Sequence, residues 1–265
     1  MIPESNTKSM RLKDQTIIVT AAGRGIGKGC AIELAREGAA LIINDRPGGK
    51  DLQSTVQELR DSGASVIGVE ADVFTRAGCE ALLRQAVEQS GPIHGLVSCP
   101  AFQTVASFLQ LPPEDFEKVV QGTLFSGFHM SQLVAQQMVE QSLLGKIVFV
   151  SSVLAQRPMA GKSAYCAAKA GLNHLARTIA VELTSHRINV NVIEPGWIDT
   201  PGEREAFSPE FFAEETPKLP WGRLGTPRDI GRAAAFLMSS DADYITGTVL
   251  PVDGAFRFRD GRMID

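Results

Sequence analysis

Seven short runs of apolar and β-branched residues alternate along the chain with longer segments in which apolar residues recur every three or four positions. The short runs are continuously apolar, as strands covered by helices on both faces require, and the longer segments have the periodicity of amphipathic helices. This alternation predicts an α/β protein with a doubly wound, seven-stranded parallel sheet. The predicted strands are 16–20, 40–44, 65–70, 93–99, 146–151, 187–194 and 247–253.

The size and composition favour one globular domain. The chain has 265 residues, of which 44% are hydrophobic, so a single large core is available. No linker or repeat divides it. We therefore expect one domain over 11–265, preceded by a loosely ordered segment at 1–10.

Charge and residue usage exclude several functional classes. The net charge is −4 and no cluster of lysine and arginine occurs, which argues against nucleic-acid binding. No run of 18 apolar residues predicts a membrane span, and the first residues lack the hydrophobic region of a signal peptide, so a cytoplasmic location is expected. The four cysteines and four histidines show no ligand spacing, so they predict reduced thiols and no metal. A small-molecule partner fits best.

A glycine-rich loop, TAAGRGIGKG at 20–29, follows the first predicted strand and opens a helix. Glycines let the backbone approach a pyrophosphate, whose charge is favoured by the free N–H groups of a helix start. Asp45 closes the second strand, where a carboxylate accepts hydrogen bonds from ribose hydroxyls and repels a 2′-phosphate. This favours NAD. Arg24 and Arg46 could each pair with a phosphate, which leaves NADP open.

Tyr165 and Lys169 lie four residues apart in a predicted helix for which Ser163 is the expected N-cap. Their phenol and ammonium therefore share one helix face. The pair alone also fits a partly buried aromatic residue beside a lysine that extends to water.

The order of several motifs resembles the short-chain dehydrogenase/reductase family from about Leu12 to about Phe258. The resemblance includes a single-domain, Rossmann-type fold. The matching motifs are TAAGRGIG at 20–27, ADV at 71–73, VSS at 150–152, YCAAK at 165–169, NVIEPGWIDT at 191–200 and the segment 222–254.

The resemblance implies NAD(P)-dependent hydride transfer between nicotinamide and a secondary alcohol or ketone. Tyr165 would be the acid/base, Lys169 would lower its pKa and bind the nicotinamide ribose, and Ser152 would hold the substrate oxygen. The expected dinucleotide site consists of Thr20, Ala21, Gly23, Arg24, Gly25, Ile26, Gly27, Asp45, Arg46, Asp72, Val73, Tyr165, Lys169, Pro195, Gly196, Ile198 and Thr200.

The substrate and the assembly are less defined. Sugar, polyol and 3-oxoacyl substrates all stay open. The segment 201–219 resembles the substrate lid of the family, where three phenylalanines would cover the substrate or simply pack as a short helix. A homodimer or homotetramer is expected through the helices at 113–141 and around Tyr165. Phe256 and Phe258 would be buried against another subunit, with burial within their own subunit as the alternative.

Three departures from the family pattern make a second function conceivable, a dinucleotide-binding regulatory protein with little turnover. Ala21 replaces a glycine, which is tolerable if its φ is negative. SCPA at 98–101 replaces side-chain amides that tie strands together, and folding should survive this. Thr123 replaces an asparagine that helps to hold a water in the proton relay.

Overall fold

The computed structural model describes residues 10–261, in which a seven-stranded, fully parallel sheet has the strand order β3-β2-β1-β4-β5-β6-β7. The predicted doubly wound architecture is confirmed, and each predicted strand is present with slightly different ends. Apart from Met10, the segment 1–10 lies outside the described residues. The strands are β1 (Thr16–Val19), β2 (Ala40–Asp45), β3 (Val66–Glu70), β4 (Gly95–Ser98), β5 (Lys146–Val150), β6 (Asn189–Pro195) and β7 (Val249–Val252).

Helices connect the strands and cover both faces of the sheet. One long helical stretch is interrupted by a π-helical turn at Gln121–Phe125, between the helices Pro113–Val120 and Ser126–Glu140. The α-helices are α1 (Gly25–Arg36), α2 (Asp51–Asp61), α3 (Arg76–Ser90), α4 (Pro113–Val120), α5 (Ser126–Glu140), α6 (Ser163–Glu182), α7 (Pro201–Ala206), α8 (Pro209–Glu215) and α9 (Pro227–Met238).

Two apolar layers explain why the strands are continuously hydrophobic. Ile17 and Val19 of β1 belong to the core that α1, α2 and α9 cover, whereas Ile18 points to the core covered by α3, α5 and α6. Alternate residues of one strand thus pack in opposite layers, and both sets must be apolar.

The strand order reverses between β1 and β4, and this opens a crevice at the carboxyl ends of the strands. Thr20 ties the two strand ends together. Its N–H donates to the carbonyl oxygen of Val97 at 3.1 Å, and its hydroxyl accepts from the N–H of Cys99 at 3.2 Å. A threonine therefore connects the strands at the segment 98–101, where the sequence lacks side-chain amides.

No helix within residues 10–261 is long and apolar enough to cross a membrane. The same part of the chain contains no cluster of three histidine, cysteine or acidic residues suited to a metal ion. All four cysteines are free thiols.

Candidate active site

The glycine loop forms a cradle between β1 and α1 in which side chains would collide. A side chain at Gly27 would strike the carbonyl oxygen of Ala21, and one at Gly23 would strike the carboxylate of Asp45. Gly25 has a φ of +60°, in the left-handed region that favours glycine. The exposed backbone at the start of α1 fits the pyrophosphate of a dinucleotide. Ile26 is half-buried and packs against the core.

Ala21 does not have the negative φ under which the sequence analysis expected an alanine to be tolerated in the loop. Its φ is +51°, so the alanine occupies the left-handed region in which a Cβ atom is strained. The loop must turn here so that Gly27 can lie against the Ala21 carbonyl. Tertiary packing therefore imposes a glycine-like conformation on an alanine.

Asp45 lies beside this loop at the end of β2 and is half-buried. One carboxylate oxygen accepts from the N–H of Arg46 at 2.8 Å, and the other faces Gly23. The carboxylate is therefore placed to accept hydrogen bonds from an adenosine ribose.

The two arginines near the loop have different surroundings. Arg24 donates to Glu205 of α7 at 2.6 Å, and this hydrogen bond raises the pKa of Arg24. Its guanidinium also lies 3.8 Å from Asp51. Arg46 is exposed. The carboxylates of two other elements thus engage the arginine within the loop.

The predicted adenine segment follows β3, where Asp72 is exposed and Val73 is buried. Asn44, which the sequence analysis missed, is buried and donates to the carbonyl oxygens of Val69 and Ala71, both at 3.1 Å. It holds the ends of β2 and β3 together. The sequence does contain a signal for this role, since Asn44 is an amide directly before Asp45 in an otherwise apolar strand.

Ser152, Tyr165 and Lys169 meet at the carboxyl end of β5. Ser152 lies close enough to the Tyr165 phenol for its hydroxyl to act as a hydrogen-bond partner that lowers the tyrosine pKa. The lysine ammonium lies 5.6 Å from the centroid of the tyrosine ring. The Ser152 oxygen also accepts from the N–H of Leu154 at 3.1 Å. The structure therefore brings together the three side chains that the resemblance implies.

Burial dominates the electrostatics of these groups. It raises the pKa of Tyr165 to about 12, although the hydrogen bond from Ser152 acts in the opposite direction. Burial also lowers the pKa of Lys169 to about 8. In the chain by itself, the tyrosine pKa thus moves opposite to the direction predicted, because desolvation of the phenolate outweighs the hydrogen bond.

Helix α6 begins at Ser163, but Ser163 is not its N-cap as predicted. Lys162 occupies that position with non-helical dihedral angles and makes no side-chain cap. The Ser163 hydroxyl is buried without a hydrogen-bond partner among the described residues. The first free N–H groups of α6 therefore lack the expected capping oxygen.

The end of β6 and the segment after it contain four predicted residues, of which Thr200 reaches the glycine loop. Pro195 is buried, and a side chain at Gly196 would meet Asp253, so the backbone passes close to the end of β7. Ile198 is buried and bridges to Gly225. Thr200 caps α7 by accepting from the N–H of Glu203, and its side chain approaches Gly25.

The predicted lid consists of the short helices α7 and α8. Phe212 is buried in a small core with Val153, Leu219, Leu224 and Phe256. Phe207 and Phe211 stack with ring centroids 4.7 Å apart and remain partly exposed. In this segment, Phe212 thus packs in a core, whereas Phe207 and Phe211 form an exposed aromatic surface.

Thr123 lies in the π-helical turn, and its hydroxyl is committed to the loop after β4. It accepts from the N–H of Phe102 at 3.3 Å and donates to the carbonyl oxygen of Phe102 at 3.2 Å. Such turns are frequent at functional sites because the extra residue redirects side chains. Thr123 therefore fixes one wall of the crevice.

Comparisons with known proteins show the family to which the chain belongs. The family model described as Enoyl-(Acyl carrier protein) reductase matches residues 20–256. L-rhamnose 1-dehydrogenase (NAD(P)(+)) of Azotobacter vinelandii is 36% identical over 249 residues, which cover 92% of this chain and 97% of that protein. The chain belongs to the short-chain dehydrogenase/reductase family.

Solved structures of the same family have the same fold. A short-chain type dehydrogenase/reductase from Mycobacterium marinum has a TM-score of 0.88 and 29% identity, covering 94% of this chain and 97% of that one. A 7 alpha-hydroxysteroid dehydrogenase complexed with NADH and 7-oxo glycochenodeoxycholic acid has a TM-score of 0.88 and 32% identity, covering 95% and 97%. The chain is accordingly an oxidoreductase of the short-chain type that acts on CH–OH groups.

Proposed function

We propose that the chain interconverts a secondary alcohol and a ketone, with Tyr165 as the acid/base, Ser152 as the group that holds the substrate oxygen and Lys169 as the supporting cation. The observation that carries this proposal is the buried Lys169 ammonium beside the Tyr165 ring, 5.6 Å from its centroid, with Ser152 close to the tyrosine phenol. These groups lie at the crevice where ligands bind in such sheets.

The side chains have complementary tasks. When bound, the dinucleotide supplies a hydride to the ketone or accepts one from the alcohol. Ser152 donates a hydrogen bond to the substrate oxygen and polarises a carbonyl. Tyr165 gives its proton to that oxygen in reduction and takes the proton in oxidation. With a pKa of about 12, the tyrosine is protonated at neutral pH, as reduction requires.

Oxidation needs the tyrosinate, which the charged Lys169 would stabilise. Its ammonium is held by the Val150 carbonyl oxygen at 2.7 Å, next to the Tyr165 ring. We propose that this charge, together with the positive ring of oxidised nicotinamide, lowers the tyrosine pKa in the complex. Lys169 would also bind the nicotinamide ribose, with Ile198 and Thr200 at the carboxamide.

We further propose that the enzyme prefers NAD. The carboxylate of Asp45 faces the loop and disfavours a 2′-phosphate, and Arg24 is already engaged by Glu205 and Asp51. A higher kcat/KM with NADP(H) than with NAD(H) would contradict this preference. Asp45→Ala should reduce the difference in kcat/KM between NAD(H) and NADP(H).

The substrate proposed is a small-molecule alcohol or ketone of the sugar, polyol or 3-oxoacyl type. A screen of these compounds with both cofactors at several pH values tests the activity, and Tyr165→Phe provides the matched control. This variant should lose turnover and keep its dinucleotide affinity, because it removes only the proton-transfer group. Tight dinucleotide binding without any turnover would instead favour the regulatory function.

We propose that the protein forms a homodimer or homotetramer through α5 and α6. Phe125 directly before α5, Phe128 on α5 and Val181 on α6 are exposed apolar side chains. Phe256 is buried within its own subunit, contrary to the prediction, whereas Phe258 is 64% exposed. A monomer in light scattering at micromolar concentration would contradict the proposed assembly.

A further inference from the structure

A buried carboxylate near the end of β6 has no assigned role in the proposed reaction. Glu194 is 0% exposed, and it lies on the sheet face that α6 covers. Its two oxygens accept hydrogen bonds from neutral amides, Gln156 at 2.7 Å and Asn173 at 2.6 Å. No cation within residues 10–261 forms an ion pair with it under 4.0 Å.

The two amides belong to the elements that carry the active-site groups. Gln156 directly follows the 3-10 helix Val153–Ala155, which Ser152 begins. Asn173 lies on α6 one turn beyond Lys169. Glu194 therefore connects the loop of Ser152 to the helix of Tyr165 and Lys169.

A purely structural role would be served better by an apolar side chain. Burial of a carboxylate without a cation is costly, and the adjacent Val192 and Ile193 of β6 pack in the two apolar cores. A charged acceptor forms stronger and more directional hydrogen bonds to amide donors than a neutral one. The carboxylate therefore fixes the positions of the two amides precisely, at the cost of burying its charge.

We propose that Glu194 is a positioning residue that holds the Ser152 loop against α6 and thereby keeps Ser152 beside Tyr165. This inference rests on the proposed function. Without the carboxylate, the exposed Gln156 side chain loses its hydrogen bond to β6, and the turn after Ser152 loses this link to α6. A displacement near 1 Å is enough to reduce turnover by about two orders of magnitude.

The kinetic test uses Glu194→Ala alone and in a Ser152→Ala background. We expect Glu194→Ala to lower kcat at least tenfold with the dinucleotide Kd changed less than twofold. In the Ser152→Ala background, the same change should cost less than threefold, because the group being positioned is already absent. An equal loss in both backgrounds would overturn the proposal.

Asn191→Ala is the matched control for a general effect on stability. Asn191 is buried in the same strand, but it bonds to Ile245 and Thr248, away from the Ser152 loop. This control should destabilise the protein and leave kcat within about twofold of the wild-type value. A comparable loss of kcat in Asn191→Ala would show that any weakening of β6 has the same effect.

Gln156→Leu tests the connection at an exposed position if Glu194→Ala fails to fold. Hydrogen exchange of the backbone N–H groups at 153–157 should accelerate at least fivefold, while exchange in α6 stays unchanged. This readout needs no turnover. A wild-type protein without turnover would refute the proposed function, whereas unchanged exchange at 153–157 in Gln156→Leu would refute the role of Glu194.

Discussion

The ammonium of Lys169 donates to the carbonyl oxygen of Val150 at 2.7 Å, in a place where the lysine is only 1% exposed. The bond holds the nitrogen beside the Tyr165 ring. Because burial disfavours the charged form, the pKa of Lys169 is lowered to about 8. The supporting cation is therefore maintained against a cost in stability.

The difference in the free energy of unfolding between Lys169→Met and wild type should depend on pH, because only the wild type buries a charged lysine. Folding lowers the pKa of the wild-type lysine from about 10.5 to about 8, because the charged form is buried. Below pH 8 the lysine is charged in both the folded and the unfolded state, and the cost of burying its charge reduces the free energy of unfolding most. This cost decreases as the pH rises toward 10.5, where the unfolded lysine also loses its proton. We expect the free energy of unfolding of the variant, relative to wild type, to rise by about 3 kcal/mol from pH 10.5 to pH 8 and then stay constant. Urea unfolding across this range measures it. A pH-independent difference would contradict the buried, shifted lysine.

Thr123→Ala should weaken the wall formed by the loop after β4. Both hydrogen bonds to Phe102 would be lost, and we expect kcat to fall tenfold or less, equivalent to about 1.4 kcal/mol. Thr123→Ser keeps the hydroxyl and should retain nearly full activity. Steady-state kinetics of the two variants provide the comparison. A loss as large as that of Tyr165→Phe would mean that Thr123 takes part in the proton relay itself.

Ala21→Gly should stabilise the protein. Glycine relieves the strain of the φ of +51°, and its greater freedom in the unfolded chain offsets part of this gain, leaving about 0.5–1 kcal/mol. Denaturant unfolding measures the difference. The neighbouring Ala22 is buried and is not among the residues with positive φ, so Ala22→Gly should destabilise instead. Equal effects at the two positions would contradict the strain at Ala21.

The two reaction directions should differ in their pH dependence. Since the pKa of Tyr165 is raised to about 12, ketone reduction has its proton donor throughout pH 6–8 and should vary little there. Alcohol oxidation requires the tyrosinate, so its kcat should rise with pH. Initial rates in both directions across pH 6–8, where Lys169 keeps its charge, test this. An oxidation rate that falls as pH rises would argue against Tyr165 as the base.

The sequence by itself determined the architecture and the edge of the sheet at which the candidate site residues meet. The apolar periodicity defined seven strands and the helices between them, because burial on both faces leaves a continuous signal in each strand. The spacing of Ser152, Tyr165 and Lys169, and the glycine loop followed by Asp45, were local patterns. Parallel strand ends then had to bring them to one edge of the sheet.

Only the tertiary structure decided properties that depend on residues distant in sequence. The positive φ of Ala21 follows from its contact with Gly27, and the roles of Thr123, Asn44 and Glu194 follow from hydrogen bonds across elements. The raised pKa of Tyr165 and the lowered pKa of Lys169 are likewise results of burial. Desolvation and hydrogen-bond geometry are set by what packs around a group, and no local pattern in the chain encodes that packing.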